Sequence, residues 1–163
     1  MPITYEPIAT TTLGSDTTNI SFTSISSAYT DLRLVFVGRG STNDDFRLRY
    51  NSDTGTNYSR TDLYGNGSTV TSARAANAAD IRIGANDGLD GNIALATIDI
   101  FSYTGSTNKT CLITYSHDKN GSGFVYSTVG LWRNTSAITT ITLNHGANFL
   151  AGSTATLYGI KNA

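Results

Sequence analysis

With 163 residues, of which 14% are charged, and a net charge of −1, the chain fits one domain that can bury a core of its own, and it carries no overall pull toward nucleic acid or anionic membrane. Its single cysteine, Cys111, excludes an intramolecular disulfide and a cysteine-built zinc site. Ser and Thr make up about a quarter of the residues, a bias that suits strands with hydroxyl-rich outer faces.

The opening Met1-Pro2-Ile3-Thr4-Tyr5 lacks the basic-then-apolar order of a secretory leader. No apolar run approaches the ~20 residues of a membrane span. A chain made and kept in a cytoplasm, or assembled there into something larger, is expected. Residues 1–163 read as one β-sandwich domain, with residues 1–13 as an N-terminal arm, weakly patterned but apolar enough to pack.

Ile20 and Phe22 alternate in a short strand. Asp31 to Arg39 places Leu32, Leu34 and Phe36 on one face, and Phe46 to Asn51 does the same with Phe46, Leu48 and Tyr50. Two-residue alternation is the mark of a half-buried strand. The Gly40 to Asp45 turn between them predicts that these two strands lie side by side. Ser52 to Gly67 reads as a long polar loop, and loops of that length usually carry a function. Ala-rich Ser72 to Asp80 suits a helical turn, and Ile81 to Ile83 a short strand that stops at Gly84.

Asn86 to Gly91 spells a double turn, with Asp-Gly twice. Ile93 to Tyr103 is the longest strand candidate; Ala94, Ala96, Ile98 and Ile100 form one face and Leu95, Thr97, Asp99 and Phe101 the other. Lys109 to Ser116, Phe124 to Arg133, Ile138 to Leu143 and Ala155 to Ile160 complete the series. Cys111, within Cys111-Leu112-Ile113, reads as a buried structural thiol, and Trp132 as core. The expected fold is all-β, a two-sheet antiparallel sandwich, with a jelly roll of about eight strands as the chosen topology.

Reactive chemistry is hard to find. Asp53-Thr54-Gly55 matches the aspartic-protease triplet, but it occurs once and in a polar stretch, so it reads as a turn. His117 and His145 are the only imidazoles, with no spacing that builds a metal site or a triad. Asp87 and Asp90 have a calcium flavour without the spacing of a calcium loop. No catalytic residue, metal ligand or cofactor is predicted, and the chain is not expected to be an enzyme.

Contact surfaces are easier to name. Val35 and Val37 make the strand from Asp31 apolar on both sides, so its outer face should be covered by a loop or a neighbouring subunit. Eight of the eleven basic residues are Arg, and Arg33, Arg39, Arg47 and Arg49 would cluster on that outer face if the two strands pair. In the long loop, Asp53, Asn57, Tyr58 and Tyr64 form an alternative, glycan-contacting set.

The block Tyr29-Thr30-Asp31-Leu32, followed by Leu48-Arg49-Tyr50-Asn51-Ser52-Asp53-Thr54-Gly55-Thr56-Asn57-Tyr58-Ser59, resembles small virion structural proteins of tailed phages, notably those of marine and cyanobacterial hosts. Ile98 to Tyr103 leading into Lys109, and the ending Leu157-Tyr158-Gly159-Ile160-Lys161, are similar too. The resemblance implies a β-sandwich displayed on a virus particle, commonly as a homo-oligomer with a trimer favoured. Its partners would be the major capsid protein or other virion proteins, and it would act as a decoration (cement) protein. A tail-fibre or receptor-binding module that recognises host carbohydrate is the alternative, and a polysaccharide hydrolase a distant third. Neither nucleic acid nor membrane is an expected partner. The resemblance transfers no individual binding residue.

Overall fold

A computed structural model describes residues 5–85 and 93–161; the expected double turn at Asn86 to Gly91, with Asp87 and Asp90, lies outside them. Among the described residues the fold is all-β, with no helix and twelve strands in two antiparallel sheets. The strands are β1 (Tyr5–Thr12), β2 (Thr17–Phe22), β3 (Asp31–Gly38), β4 (Phe46–Tyr50), β5 (Tyr58–Gly65), β6 (Val70–Ala78), β7 (Ile81–Gly84), β8 (Ala94–Phe101), β9 (Lys109–Asp118), β10 (Gly123–Trp132), β11 (Ile141–Phe149) and β12 (Thr154–Ile160). The large sheet runs β1-β12-β3-β8-β9-β10-β5-β6, and the small sheet β2-β11-β4-β7.

Alternation decides which side chains meet between the sheets. Leu32, Leu34 and Phe36 of β3, Ala96, Ile98 and Ile100 of β8, and Leu48 and Tyr50 of β4 are all buried in one core. Rings bridge the two layers: Phe36 lies 5.2 Å from Phe46 and Tyr50 lies 5.6 Å from Trp132, centroid to centroid. Close approach also needs a glycine. A Cβ at Gly84 would fall 2.1 Å from the Tyr115 ring, so β7 reaches β9 only because that side chain is missing. Cys111 and Trp132 are core residues, as expected. Burial pushes the Cys111 thiol up to about 11.

β3 and β4 do not pair, contrary to the sequence reading. β3 bonds to β12 and β8, whereas β4 bonds to β11 and β7. The turn between them carries the chain from one sheet to the other, and the matching apolar faces meet across the core instead of sharing an edge. Twelve strands, divided eight against four, replace the eight or so expected. Three segments account for the excess: the N-terminal arm is β1, half of the long polar loop is β5, and the Ala-rich stretch is β6.

Those three strands lie at the flanks of the large sheet, and β1 and β6 are its edges. The two edges differ. β1 carries Pro7, which has no N–H to donate, and its pairing with β12 shifts register between Pro7 and Ala9. β6 has no proline on its nine residues.

Lys109 is the other notable interior group. Its ammonium is buried and donates to the carbonyls of Gly105 (2.7 Å), Thr107 (2.5 Å) and Thr135 (3.2 Å), tying two loops together.

Candidate functional site: the outward face of the large sheet

Register places the outward side chains of the large sheet in rows. One row runs Thr12, Thr154, Val37, Leu95, Ser116, Val125, Gly65, Val70. The next runs Thr10, Thr156, Val35, Thr97, Thr114, Ser127, Leu63, Ser72. A third follows through Tyr158, Arg33, Asp99, Leu112, Val129, Thr61 and Arg74. The face is thus hydroxyl-rich with aliphatic side chains set in it. Val70 is 77% exposed, Val125 62%, Leu63 55%, Val129 51% and Leu95 50%. Ile93, Phe101 and Leu112 are exposed too. These exposed apolar side chains lie on one face of the sandwich instead of being scattered over the surface.

The charges on this face are few, and one pair is matched. Arg33 donates to Asp99 through Nε (2.5 Å) and Nη2 (2.9 Å), and its guanidinium sits 5.9 Å from the Tyr5 ring. The bond to Asp99 raises the Arg33 pKa, so the pair stays ionised and internally compensated. Arg74 stands near the β6 edge and Asp118 at the end of β9.

The predicted contact residues divide. Arg33, Val35 and Val37 lie together on this face; Val35 is half-buried, Val37 is exposed, and no loop among the described residues covers them. Arg39 lies just past β3, where its backbone pairs with Ser153 and Leu150. Arg47 and Arg49 are on the opposite side of the sandwich, so the expected arginine cluster does not form. The reason is the β3–β4 crossover.

On the small sheet, Arg47 pairs with Asp44 (2.5 Å), Arg49 with Asp80 (3.1 Å) and Arg82 with Asp45 (3.1 Å). Arg49 Nε also donates to the Ala79 carbonyl (3.2 Å), and Arg82 lies 5.6 Å from the Tyr126 ring. Three guanidinium groups and three carboxylates thereby form a neutral, half-buried lattice.

The glycan-contacting set is largely consumed by the fold. Tyr58 is fully buried in β5, its hydroxyl within bonding distance of Tyr50 and Asp53 backbone atoms, and burial pushes its pKa up to about 12. Asp53 accepts from Trp132 Nε1 (2.7 Å), Asn57 Nδ2 (2.9 Å) and Gly55 N (2.8 Å). The Trp132 bond leads these in holding the Asp53 pKa below its usual value. Tyr64 is half-buried and stacks on Tyr126 at 4.8 Å. The protease-like triplet is therefore a turn that anchors a core tryptophan.

A cleft of about 620 Å³ opens at one end of the face, lined by Asn66, Leu95, His117, Asp118, Phe124 and Val125 among others. His117 and Asp118 are consecutive on β9 and so point to opposite sides; His117 is buried and Asp118 is exposed. They form no acid–base dyad. His145, also buried, accepts at Nδ1 from the Ala147 N–H (3.1 Å). Among the described residues no three His, Cys, Asp or Glu side chains gather as a metal site.

The outward rows were only partly visible in the sequence, because alternation separates two faces without saying which sheet each strand joins. The aliphatics of β10, Val125 and Val129, were the available signal. Comparison with known proteins adds no likeness: the chain matches no family model, and no significant match appears among curated proteins or solved structures.

Proposed function

We propose that the chain is a virion structural protein of a tailed phage that decorates the capsid and stabilises it through protein–protein contacts. The observation that carries this reading is the outward face of the large sheet, a broad layer with exposed aliphatics and few charges. A neutral layer of this kind offers nothing to a phosphate backbone and everything to another protein surface.

Support also comes from where the polar groups are spent. Asp53, Asn57, Tyr58 and Lys109 have the look of binding residues, yet each is held in bonds that close turns or pin loops. The carbohydrate reading loses most of its contact set in this way. Decoration needs no reactive group. A subunit that binds only the assembled shell shifts it away from disassembly by mass action, and an oligomer multiplies modest patches into strong attachment.

The test is binding to emptied particles that lack the protein, together with the position of labelled protein on intact ones. Saturable binding to the shell, with a gain in its resistance to heat, is the expected outcome. Label on the tail, or adsorption to host cells without shell binding, overturns the proposal.

A further inference from the structure

We infer that the outward face of the large sheet pairs with the same face of a second copy of this chain, forming a two-fold, sheet-on-sheet dimer. Area is the first argument. Eight strands at ~4.8 Å spacing, crossed by four outward side chains ~6.8 Å apart, cover roughly 1,000 Å². Each partner in a stable complex of standard size contributes ~800 Å². The face is as large as such an interface requires.

Charge is the second argument. A surface can meet its own copy only if it does not repel itself. Here the middle of the face, on β8, β9, β10 and β5, presents Leu, Val, Thr, Ser and Phe101, with Asp99 already bonded to Arg33; Asp118 at the end of β9 and Arg74 on the β6 edge stand at its margin. Two such faces can close over their middle without burying an unmatched ion. The small sheet, whose outward side is the arginine–aspartate lattice, has no comparable layer to offer.

Pattern is the third. The hydroxyl row through Thr97, Thr114 and Ser127 separates the row holding Leu95 and Val125 from the row holding Leu112 and Val129. A two-fold axis lying along the hydroxyl row sets Val129 of one copy over Val125 of its partner, and the reverse contact follows by symmetry. Sheets stacked this way sit ~10 Å apart with strands crossing at about 30°. The inferred assembly is two-fold, in place of the trimer that the resemblance implies; it assigns the large-sheet face to the contact between copies, and a shell would then meet the dimer through the surfaces left free, the small-sheet faces among them.

The experiment is the mass of the full chain in solution, by light scattering and sedimentation, up to about 100 µM, well above the micromolar end of interfaces this size. A dimer is expected. Val125→Lys with Val129→Lys should weaken it by roughly 100-fold or more, since each introduces an unpaired charge. Val125→Thr with Val129→Thr, which keeps β-branched residues, should weaken it less and guards against a variant that fails to fold. Thr142→Lys, on the small sheet, should leave the mass unchanged. A strict monomer, a trimer, or a dimer that survives the lysine pair overturns the inference. So does a monomer whose shell binding is lost in the lysine pair, because the shell then owns the face. A dimer that ignores emptied particles leaves this inference standing and removes the virion reading instead.

Discussion

The two outer faces of the sandwich are built from opposite materials. The large sheet turns Thr, Ser, Val and Leu outward, while the small sheet turns out Arg47, Arg49 and the aspartates that bind them. Both are strand surfaces with the same alternation, so alternation alone does not distinguish them. The small sheet satisfies its own charges. The large sheet leaves aliphatics uncovered, a surface that gains by being buried. The difference separates a face whose charges are already paired from a face whose aliphatics are still uncovered.

The largest expected change lies between the faces. Trp132→Ala empties a large part of the core and removes one of the three donors to the Asp53 carboxylate, and should cost about 3–5 kcal/mol in a denaturant titration. Gly84→Ala forces a methyl group into the Tyr115 ring and should cost about 1–3 kcal/mol by the same measurement. If it is tolerated, the sheets are not in close contact there.

Acid should act on interior bonds before it touches the outward face of the large sheet. His145 has its pKa lowered below 6.5, chiefly by burial, with Asp44 and Asp45 opposing and Arg47 adding to the shift. Its folded value lies below its unfolded one, so its contribution is complete above pH 6.5 and declines as pH falls from there through the folded value. Asp53, lowered from 3.8 by its bond from Trp132 above all, adds a second loss only below that value. Melting temperature against pH should show two descending steps, and His145→Gln should remove the upper one.

On the small sheet, Asp80→Ala leaves Arg49 and Arg47 with one carboxylate fewer and should cost about 1 kcal/mol or less, shrinking further in high salt. On the large sheet, Leu95→Thr should alter the stability of the isolated subunit by no more than about 0.5 kcal/mol while weakening its association. A large stability loss there would mean that Leu95 belongs to the subunit's own core, and the contrast between the faces would fail.

Much of the fold was legible, and what was missed shares one cause. Strands over the middle of the core, such as β3, β8 and β10, show clean alternation because one side is dry. β5 instead turns Arg60 and Asp62 inward as a bonded pair at 2.9 Å, and Asp62 also accepts from Thr128, so its pattern reads as polar loop. β6 has no apolar stripe because it is an edge held by β5. The β3–β4 crossover was hidden for a different reason. A short polar connection is compatible with a hairpin or a sheet change, and only the Phe36–Phe46 contact across the core decides between them. Of the predicted contact residues, Arg33, Val35 and Val37 stayed on one surface since a single strand carries them. Arg47 and Arg49 depended on the pairing and went elsewhere.

The unequal margins of the large sheet set a limit on growth. Strand-by-strand recruitment of further copies needs a receptive border at both ends, and here Pro7 and the register shift spoil one of them. Anything that adds to β6 meets a blocked end on the next molecule, so end-to-end polymerisation into fibres has no route to propagate. A chain that buries most of its backbone in sheets is thereby kept, even when concentrated, from growing at both borders.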